Sequence, residues 1–581
     1  MRTAAIVLTA SLVLTASPIA RQSAFRTLDD KFSPPRFTDA VEWKKRATYL
    51  REHILTSAGL LPMPERAPLA PEIFGKITKN DYTVEKVYFQ SLPGFLVTGN
   101  LYRPIGTGPF PAVLAPHGHW AYGRLENTTL NSVPGRAINL ARQGFVVFTY
   151  DMIGYDDSRQ LPHTFGGKRE TLWGMSLAGL QLWNSIRSLD FLQSLPDVQK
   201  EALAVTGESG GGTQTFLLAA VDDRVKVAVP VNMISLHMQG GCLCENAPTL
   251  RLDTNNVEIA ATIAPRPLLM VSATGDWTAN TLEAEYPAVR ALYSLLDAPD
   301  SVSAVRFKAE HNYNKESREA MYAWLARWMK GAPAEVEVRE RSFTAESPAD
   351  LLVFHQRALP PEALGAGQLT ENWIAAARKQ LTTADLATRA RALRHSLGFG
   401  DAAAPVASKR TAIRTVLTAG TDPAIDRQIQ AKGFKVQPIT FTPFDAVAAA
   451  KIRHFETYNR TAAAQRVADI VAALRANPSA ALVASGDAAL ASLLASAVVL
   501  PPLAILDVGD FDTSDDGAYV DRLYVPGLRR AGDLSTAAEV AGGVLVIHGA
   551  GSGFVLPNVQ VARDRLDAAE IVQRLKSRRS D

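Results

Sequence analysis

Between Phe110 and Lys330 the chain alternates short, Val-rich apolar runs with longer amphipathic stretches. FPAVLAP, FVVFTYDMIG, ALAVTGES, VKVAVPVNM, PRPLLMVSATGD and SAVRFKAEHNY are the apolar runs. PGRAINLARQG, the long segment TLWGMSLAGLQLWNSIRSLDFLQSL, GGTQTFLLAAV, EYPAVRALYSLLDA and ESREAMYAWLARWMK have helical spacing. A strand that is apolar at consecutive positions is covered on both faces. Strands joined through helices run parallel. The expected fold class is therefore α/β, a mostly parallel sheet with helices on both faces. Ahead of this block, TVEKVYFQS and FLVTGNLYRP flank Leu92-Pro93-Gly94 and read as a β-hairpin. A helix is expected from Trp43.

One junction in the block carries chemistry. ALAVTGES runs straight into GGTQTFLLAAV and places Ser209 in Gly-Glu-Ser-Gly-Gly. Gly-x-Ser-x-Gly alone marks little more than a tight turn. Between a buried strand and a helix it marks a sharp turn that lifts a serine hydroxyl out of the sheet edge. Gly207 and Gly211 leave room for the crowded backbone. The helix that follows aims its first N–H groups and its dipole at the serine, where an oxyanion would develop.

A serine nucleophile needs a base, and the base needs an orienting carboxylate. In this architecture the chain order is Ser, acid, His. Asp276 follows the strand PRPLLMVSA, and His311 follows the last strand, ahead of the last helix of the block. His237 also follows Ser209 but precedes Asp276. Asp253 is an alternative acid that does not directly follow a buried strand. The oxyanion hole is expected from the N–H groups of Gly210 and His119, the latter in PHGHWAYG. Trp120 is an alternative donor or part of the acyl pocket. Side chains of His117 and His119 read as structural or substrate-facing rather than as metal ligands, and DMIGYDDS reads as a structural turn.

Taken together, PHGHW, YDMIGYDDS, the helix carrying Trp183, Arg187 and Asp190, GESGGGTQT, SATGD and AEHNY resemble an α/β-hydrolase. More narrowly they resemble the acetyl xylan esterase and dienelactone-hydrolase-like branch. Gly210 stands where the carbohydrate esterase members have Gln, and the Gly-Cys-Ser start of glucuronoyl esterases is missing. The resemblance implies a serine esterase acting on short acyl esters, with an acylated carbohydrate or small ester as substrate. Trp120 and Trp277 are the expected substrate-binding aromatics, with Trp173 and Trp183 as further sugar-facing candidates. A serine peptidase of the same fold and a non-catalytic binding protein are the alternatives. No metal or organic cofactor is needed by this chemistry.

The rest of the chain sets the context. The net charge of +3 over 581 residues, without a basic block, makes nucleic acid a poor partner. Met1-Arg2 followed by AAIVLTASLVLTA reads as a signal peptide cut between residues 16 and 24, with an uncleaved membrane anchor as the alternative. Secretion or a periplasmic location is expected, with no stable membrane insertion after cleavage. The only cysteines are Cys242 and Cys244, in GGCLCENAP. A metal set could be assembled from His237, Cys242, Cys244 and Glu245, but zinc sites favour Cys-x2-Cys spacing and a second ligand pair. The expected reading is an ordered loop with free or locally bridged thiols.

The expected organisation is a leader (1–24), a catalytic domain (25–335), a connector (336–405) and a second α/β domain (406–581). In the last, VASGDAA lies over VTGESGG and GGVLVIHGAGS over the region of Asp276. Asp487 then replaces Ser209, Ser552 replaces Asp276, and no histidine follows. A degenerate hydrolase-like domain without chemistry is expected.

Overall fold

The computed structural model describes residues 25–401, 412–557 and 559–577. The expected leader lies outside the described residues. Three antiparallel strands, β1 (Glu72–Thr78), β2 (Tyr82–Leu92) and β3 (Phe95–Pro104), begin the first sheet. β4 (Phe110–Pro116), β5 (Val146–Tyr150), β6 (Val198–Glu208), β7 (Val225–Val231), β8 (Leu268–Ala273) and β9 (Val302–Phe307) complete it. The order is β1-β2-β3-β5-β4-β6-β7-β8-β9, and β5 through β9 run parallel. β4, β5 and β7 are almost wholly buried, as their unbroken apolar runs require. β1 was not apparent in the sequence. It is a half-exposed edge strand preceded by a Pro-rich stretch.

Helices α1 (Ala40–Ser57) and α2 (Val133–Arg142) match the expected segments. The segment expected as one long helix is instead two, α3 (Lys168–Leu172) and α4 (Leu177–Ser194). Gly174, at φ +71°, breaks the run, and the Ser176 hydroxyl caps α4 by accepting from the Gly179 N–H. The break matters for packing. It sends Leu172 into the second domain's core, whereas Trp183 on α4 is buried in the first and donates to the Ser91 carbonyl.

The second sheet holds β10 (Thr415–Ala419), β11 (Lys435–Pro438), β12 (Ala481–Ser485), β13 (Ala504–Asp507) and β14 (Leu545–His548). All its pairings are parallel, in the order β11-β10-β12-β13-β14. This is the order of β5-β4-β6-β7-β8 in the first sheet, so β12 corresponds to β6 and β14 to β8. The backbone corrects the expected register by one residue. Ser209 has φ 54° and ψ −121°, and the matching conformation belongs to Gly486, at φ 62° and ψ −137°. Asp487 is the first residue of the helix and pairs with Arg522 at 2.9 Å. Three residues past the strand, Gly551 rather than Ser552 corresponds to Asp276.

The segment between the sheets is woven into both. Its helix Ala366–Thr383 places Trp373 and Ile374 in the first core, and its helix Leu386–Ser396 places Leu393 in the second. Upstream, the Val353 and Phe354 N–H groups donate to Asp157. Residues 453–458 then reach back to the loop after β7. Thr249 and Arg251 donate main-chain N–H bonds to the Glu456 and Thr457 carbonyls, and Arg453 donates to the Gly241 carbonyl. A cavity of about 350 Å³ lies at this contact, lined in part by Phe165, Leu243, His454 and Tyr524. Among the described residues no helix is long and apolar enough to cross a membrane.

His53 of α1 sits at the junction with the segment helix, bonded to the Thr249 carbonyl at 3.0 Å and facing His395. Burial lowers its pKa from 6.5 to about 4. The unfolded chain therefore takes up this proton first as the pH falls. The stabilisation is complete above about pH 6.5 and is lost between there and about pH 4, up to about 3 kcal/mol. Urea midpoints at pH 7 and pH 5 are expected to differ accordingly, and His53→Gln is expected to shrink that difference.

Candidate active site

Ser209 follows β6 directly and is the N-cap residue of α5 (Gly210–Val221), in a strained positive-φ turn. A non-glycine residue held there costs about 1–3 kcal/mol. The turn is pinned by the Ser209 N–H donating to the Val231 carbonyl (3.1 Å) and by the Thr213 N–H donating to the Ser209 carbonyl (2.9 Å). Both flanking glycines are sterically required. A Cβ on Gly207 would lie 2.4 Å from the Pro116 oxygen, and one on Gly211 would lie 2.5 Å from the same atom. Gly207→Ala must push β6 away from β4 and is expected to lower stability by about 1–3 kcal/mol, as overpacking does. Thermal melts beside wild type measure it.

Asp276 and His311, expected at two strand ends, meet in the structure. His311 Nδ1 lies 2.8 Å from Asp276 Oδ2. The other carboxylate oxygen accepts from the Thr278 N–H (2.8 Å) and the Thr278 hydroxyl (2.5 Å). The Asp276 side chain is 2% exposed and that of His311 is 26% exposed, so the imidazole is reachable while its partner is sealed. Trp277 and Trp120 both pack near His311, their ring centroids 4.5 and 6.2 Å from the His311 ring. Both are partly exposed, whereas Trp173 and Trp183 are core residues and present no surface to a sugar. Asp253 is spent elsewhere, on Arg46 and the Tyr49 hydroxyl, each at 2.9 Å.

Glu208, the residue before the serine, is an organiser that the sequence did not single out. It is fully buried and ion-paired with Arg136 at 2.7 Å. Its Oε1 accepts from the Gly118 N–H, the Trp120 indole N–H and the Asn131 amide, each at 2.9 Å. Burial opposes the charge, but Arg136 overcomes it and holds the carboxyl below its usual range. Glu208 thereby ties the loop carrying His119 and Trp120 to the serine turn. Glu208→Gln leaves Arg136 buried without its counter-charge and is expected to cost about 3–5 kcal/mol, read as a shift in urea midpoint.

Gly210 directly follows Ser209, and among the described residues neither its N–H nor that of His119 donates to another protein group. His117 is structural: its Nε2 accepts the Met152 N–H at 3.0 Å and its Nδ1–H donates to the Gly118 carbonyl. The DMIGYDDS loop is also structural, with Asp151 and Asp157 clamping the buried Arg124.

The side chain of His119 turns toward the two cysteines. Its Nε2 lies 3.0 Å from Cys244 Sγ, and Cys242 Sγ lies 3.1 Å from His163 Nε2. The set of His237, Cys242, Cys244 and Glu245, disfavoured on spacing, does not form among the described residues. Glu245 instead accepts the Gly241 and Cys242 N–H groups. The two thiols are unbridged. A hydrogen bond from Cys244 pulls the Cys242 thiol well below its ordinary range, while burial pushes Cys244 up.

No family model matches the chain. The Bacillus subtilis protein YtaP, named as a hydrolase, is 26% identical in an alignment of 289 residues that covers 46% of this chain and 95% of that protein. Among solved structures, Methylesterase BT1017 is 29% identical with a TM-score of 0.50, over 60% of this chain and 78% of that one. A Bacteroides fragilis protein named as an acetyl xylan esterase is 19% identical with a TM-score of 0.39, over 48% of this chain and 79% of that one. With its strand order and its strand–turn–helix at Ser209, the chain has the α/β-hydrolase fold.

Proposed function

We propose that this carboxylic ester hydrolase is an exported serine esterase that clears small ester groups from carbohydrate through an acyl-enzyme. The observation that carries this reading is the 2.8 Å bond from His311 to a sealed Asp276, in the same fold that lifts Ser209 onto a strained turn. His311 takes the Ser209 proton as the oxygen attacks the ester carbonyl. Asp276 holds the imidazole with its proton on Nδ1 and supports the positive charge that develops. The Gly210 and His119 N–H groups receive the oxyanion, a contact worth about 100- to 1000-fold in rate per donor. The imidazolium protonates the leaving alcohol, and His311 then activates the water that frees Ser209.

Trp120 and Trp277 form the rim against which a sugar ring stacks. The second domain is non-catalytic in this reading, because glycines stand at its positions for the nucleophile and the acid. Its segment 453–458 braces a loop beside the site. The N-terminal run carries the export proposal.

Two substrate readings share this chemistry. In one the carbohydrate is the alcohol and acetate is released. In the other it is the acid, a uronate methyl ester, and methanol is released. The likeness to a solved methylesterase favours the second. Acetylated xylan and methyl-esterified pectin, each given to the wild type and to Ser209→Ala, decide between them. Acetate alone supports the first and methanol alone the second. Release that persists in the variant removes Ser209 as nucleophile.

A further inference from the structure

Four residues from three separate loops bring metal-ligand atoms to one point. They are His119 after β4, His163 after β5, and Cys242 and Cys244 after β7, with ligand atoms all within 4.8 Å of one another. Each loop leaves the carboxyl end of a parallel strand, beside the β4–β6 crossover where such sheets bind ligands. We propose that these four side chains form a tetrahedral Cys2His2 site for a zinc-like divalent ion, which fixes the oxyanion loop of the esterase site.

The donor set selects the metal class. Two thiolates and two imidazoles suit a borderline-soft ion in tetrahedral geometry, and two thiolates neutralise a divalent charge among half-buried groups. With zinc bonds of about 2.3 Å to sulfur and 2.0–2.1 Å to nitrogen, tetrahedron edges are about 3.3–3.8 Å. The observed sulfur–nitrogen separations of 3.0 and 3.1 Å lie a few tenths of an ångström inside those edges, and the whole set, within 4.8 Å, closes to them by contraction of its longer separations.

The surroundings are built for ligation. His163 Nδ1–H donates to the Ile153 carbonyl at 2.6 Å, which leaves Nε2 as the lone pair facing the thiols. Metal-bound histidines are oriented by this kind of outer bond. Glu245, by accepting the Gly241 and Cys242 N–H groups, closes a tight turn that turns both sulfurs of the Cys-x-Cys inward. Four protein ligands leave no open position, so the ion is structural rather than catalytic. Its link to catalysis runs through His119, whose ring covers Gly210: a Cβ there would lie 2.5 Å from His119 Cε1. Ligation by the ring locks the residue whose N–H serves as the second oxyanion donor, a step that rests on the proposed esterase mechanism. The site itself does not.

The test uses the full chain, purified without chelator. About one zinc-class ion per chain is expected by elemental analysis. After chelation and reloading with cobalt(II), tetrahedral d–d bands in the visible and a thiolate-to-cobalt charge-transfer band in the ultraviolet are expected. Cys242→Ser is expected to weaken that charge-transfer band, and His163→Gln, which removes a direct ligand, to reduce cobalt affinity by more than the roughly 10- to 100-fold that loss of an outer-shell partner costs. His163→Gln, at a partly exposed position, serves if the serine variant does not fold. Ser209→Ala is expected to lose hydrolysis and keep the ion, which separates this inference from the esterase reading. Wild-type chain with two free thiols that gives no cobalt charge-transfer band overturns the proposal. So does a chain isolated with a Cys242–Cys244 disulfide, or one whose cobalt spectrum survives both variants unchanged.

Discussion

Ser209→Ala is expected to lower kcat for ester hydrolysis by roughly 10⁵- to 10⁶-fold, with KM little changed. The size follows from what remains. His311, the oxyanion donors and the aromatic rim stay in place, so substrate still binds, but no oxygen stands at the end of β6 to attack it. A residual acceleration of roughly 10³- to 10⁴-fold over water is what binding and the oxyanion hole supply alone. The variant is a clean probe because Ser209 already sits at φ 54° as a non-glycine residue, so alanine adds no backbone strain. The serine makes no side-chain cap bond to α5 whose loss could unfold the helix. Progress curves at high enzyme concentration measure the drop, and a fluorophosphonate probe that labels wild type but not the variant locates the nucleophile. Undiminished turnover would sink Ser209.

The parts of this molecule that were legible share one property. Ser209, Asp276 and His311 each stand just past a buried strand, so local pattern and the wiring of a parallel sheet were enough to mark all three, and the structure pairs His311 with Asp276. The metal-ligand cluster had no such local mark. His163 lies in a polar loop, His119 looked like a main-chain donor, and Cys-x-Cys lacks the usual zinc spacing. Only the tertiary approach of three loops makes them a set. Glu208 was hidden for a related reason: nothing in Gly-Glu-Ser-Gly-Gly says that its carboxylate turns inward to a buried Arg136 on α2. The one-residue error at Gly486 came from matching letters, whereas the turn is defined by a positive φ that glycine also supplies. Short β11 and edge strand β1 carry too little apolar pattern to be read. The helix break at Gly174 exists to serve packing between the two cores.

Asp276→Asn is expected to lower kcat by about 10⁴-fold near neutral pH without disturbing the fold. The structure dictates why an amide of the same shape fails. Thr278 Oγ1 accepts the Ala273 N–H, so its own hydrogen points at Asp276 Oδ1. The Thr278 N–H points at the same oxygen. In the variant these two donors must meet the amide oxygen, because the amide NH2 cannot accept. The NH2 group is then forced toward His311 Nδ1, which has to turn a lone pair to it. That places the imidazole proton on Nε2, the nitrogen whose lone pair takes the Ser209 proton in the proposed mechanism. The side chains stay in place and the base is switched off. A nitrogen-resolved NMR spectrum of His311 is expected to show the Nδ1–H tautomer in wild type and the Nε2–H tautomer in the variant. Thr278→Val, added to Asp276→Asn, removes one of the two donors that fix the amide and is expected to return part of the lost rate. A single variant with wild-type kcat would mean that His311 is oriented without Asp276. The alternative acid, Asp253, is already committed to Arg46 and Tyr49 and is not available to replace it.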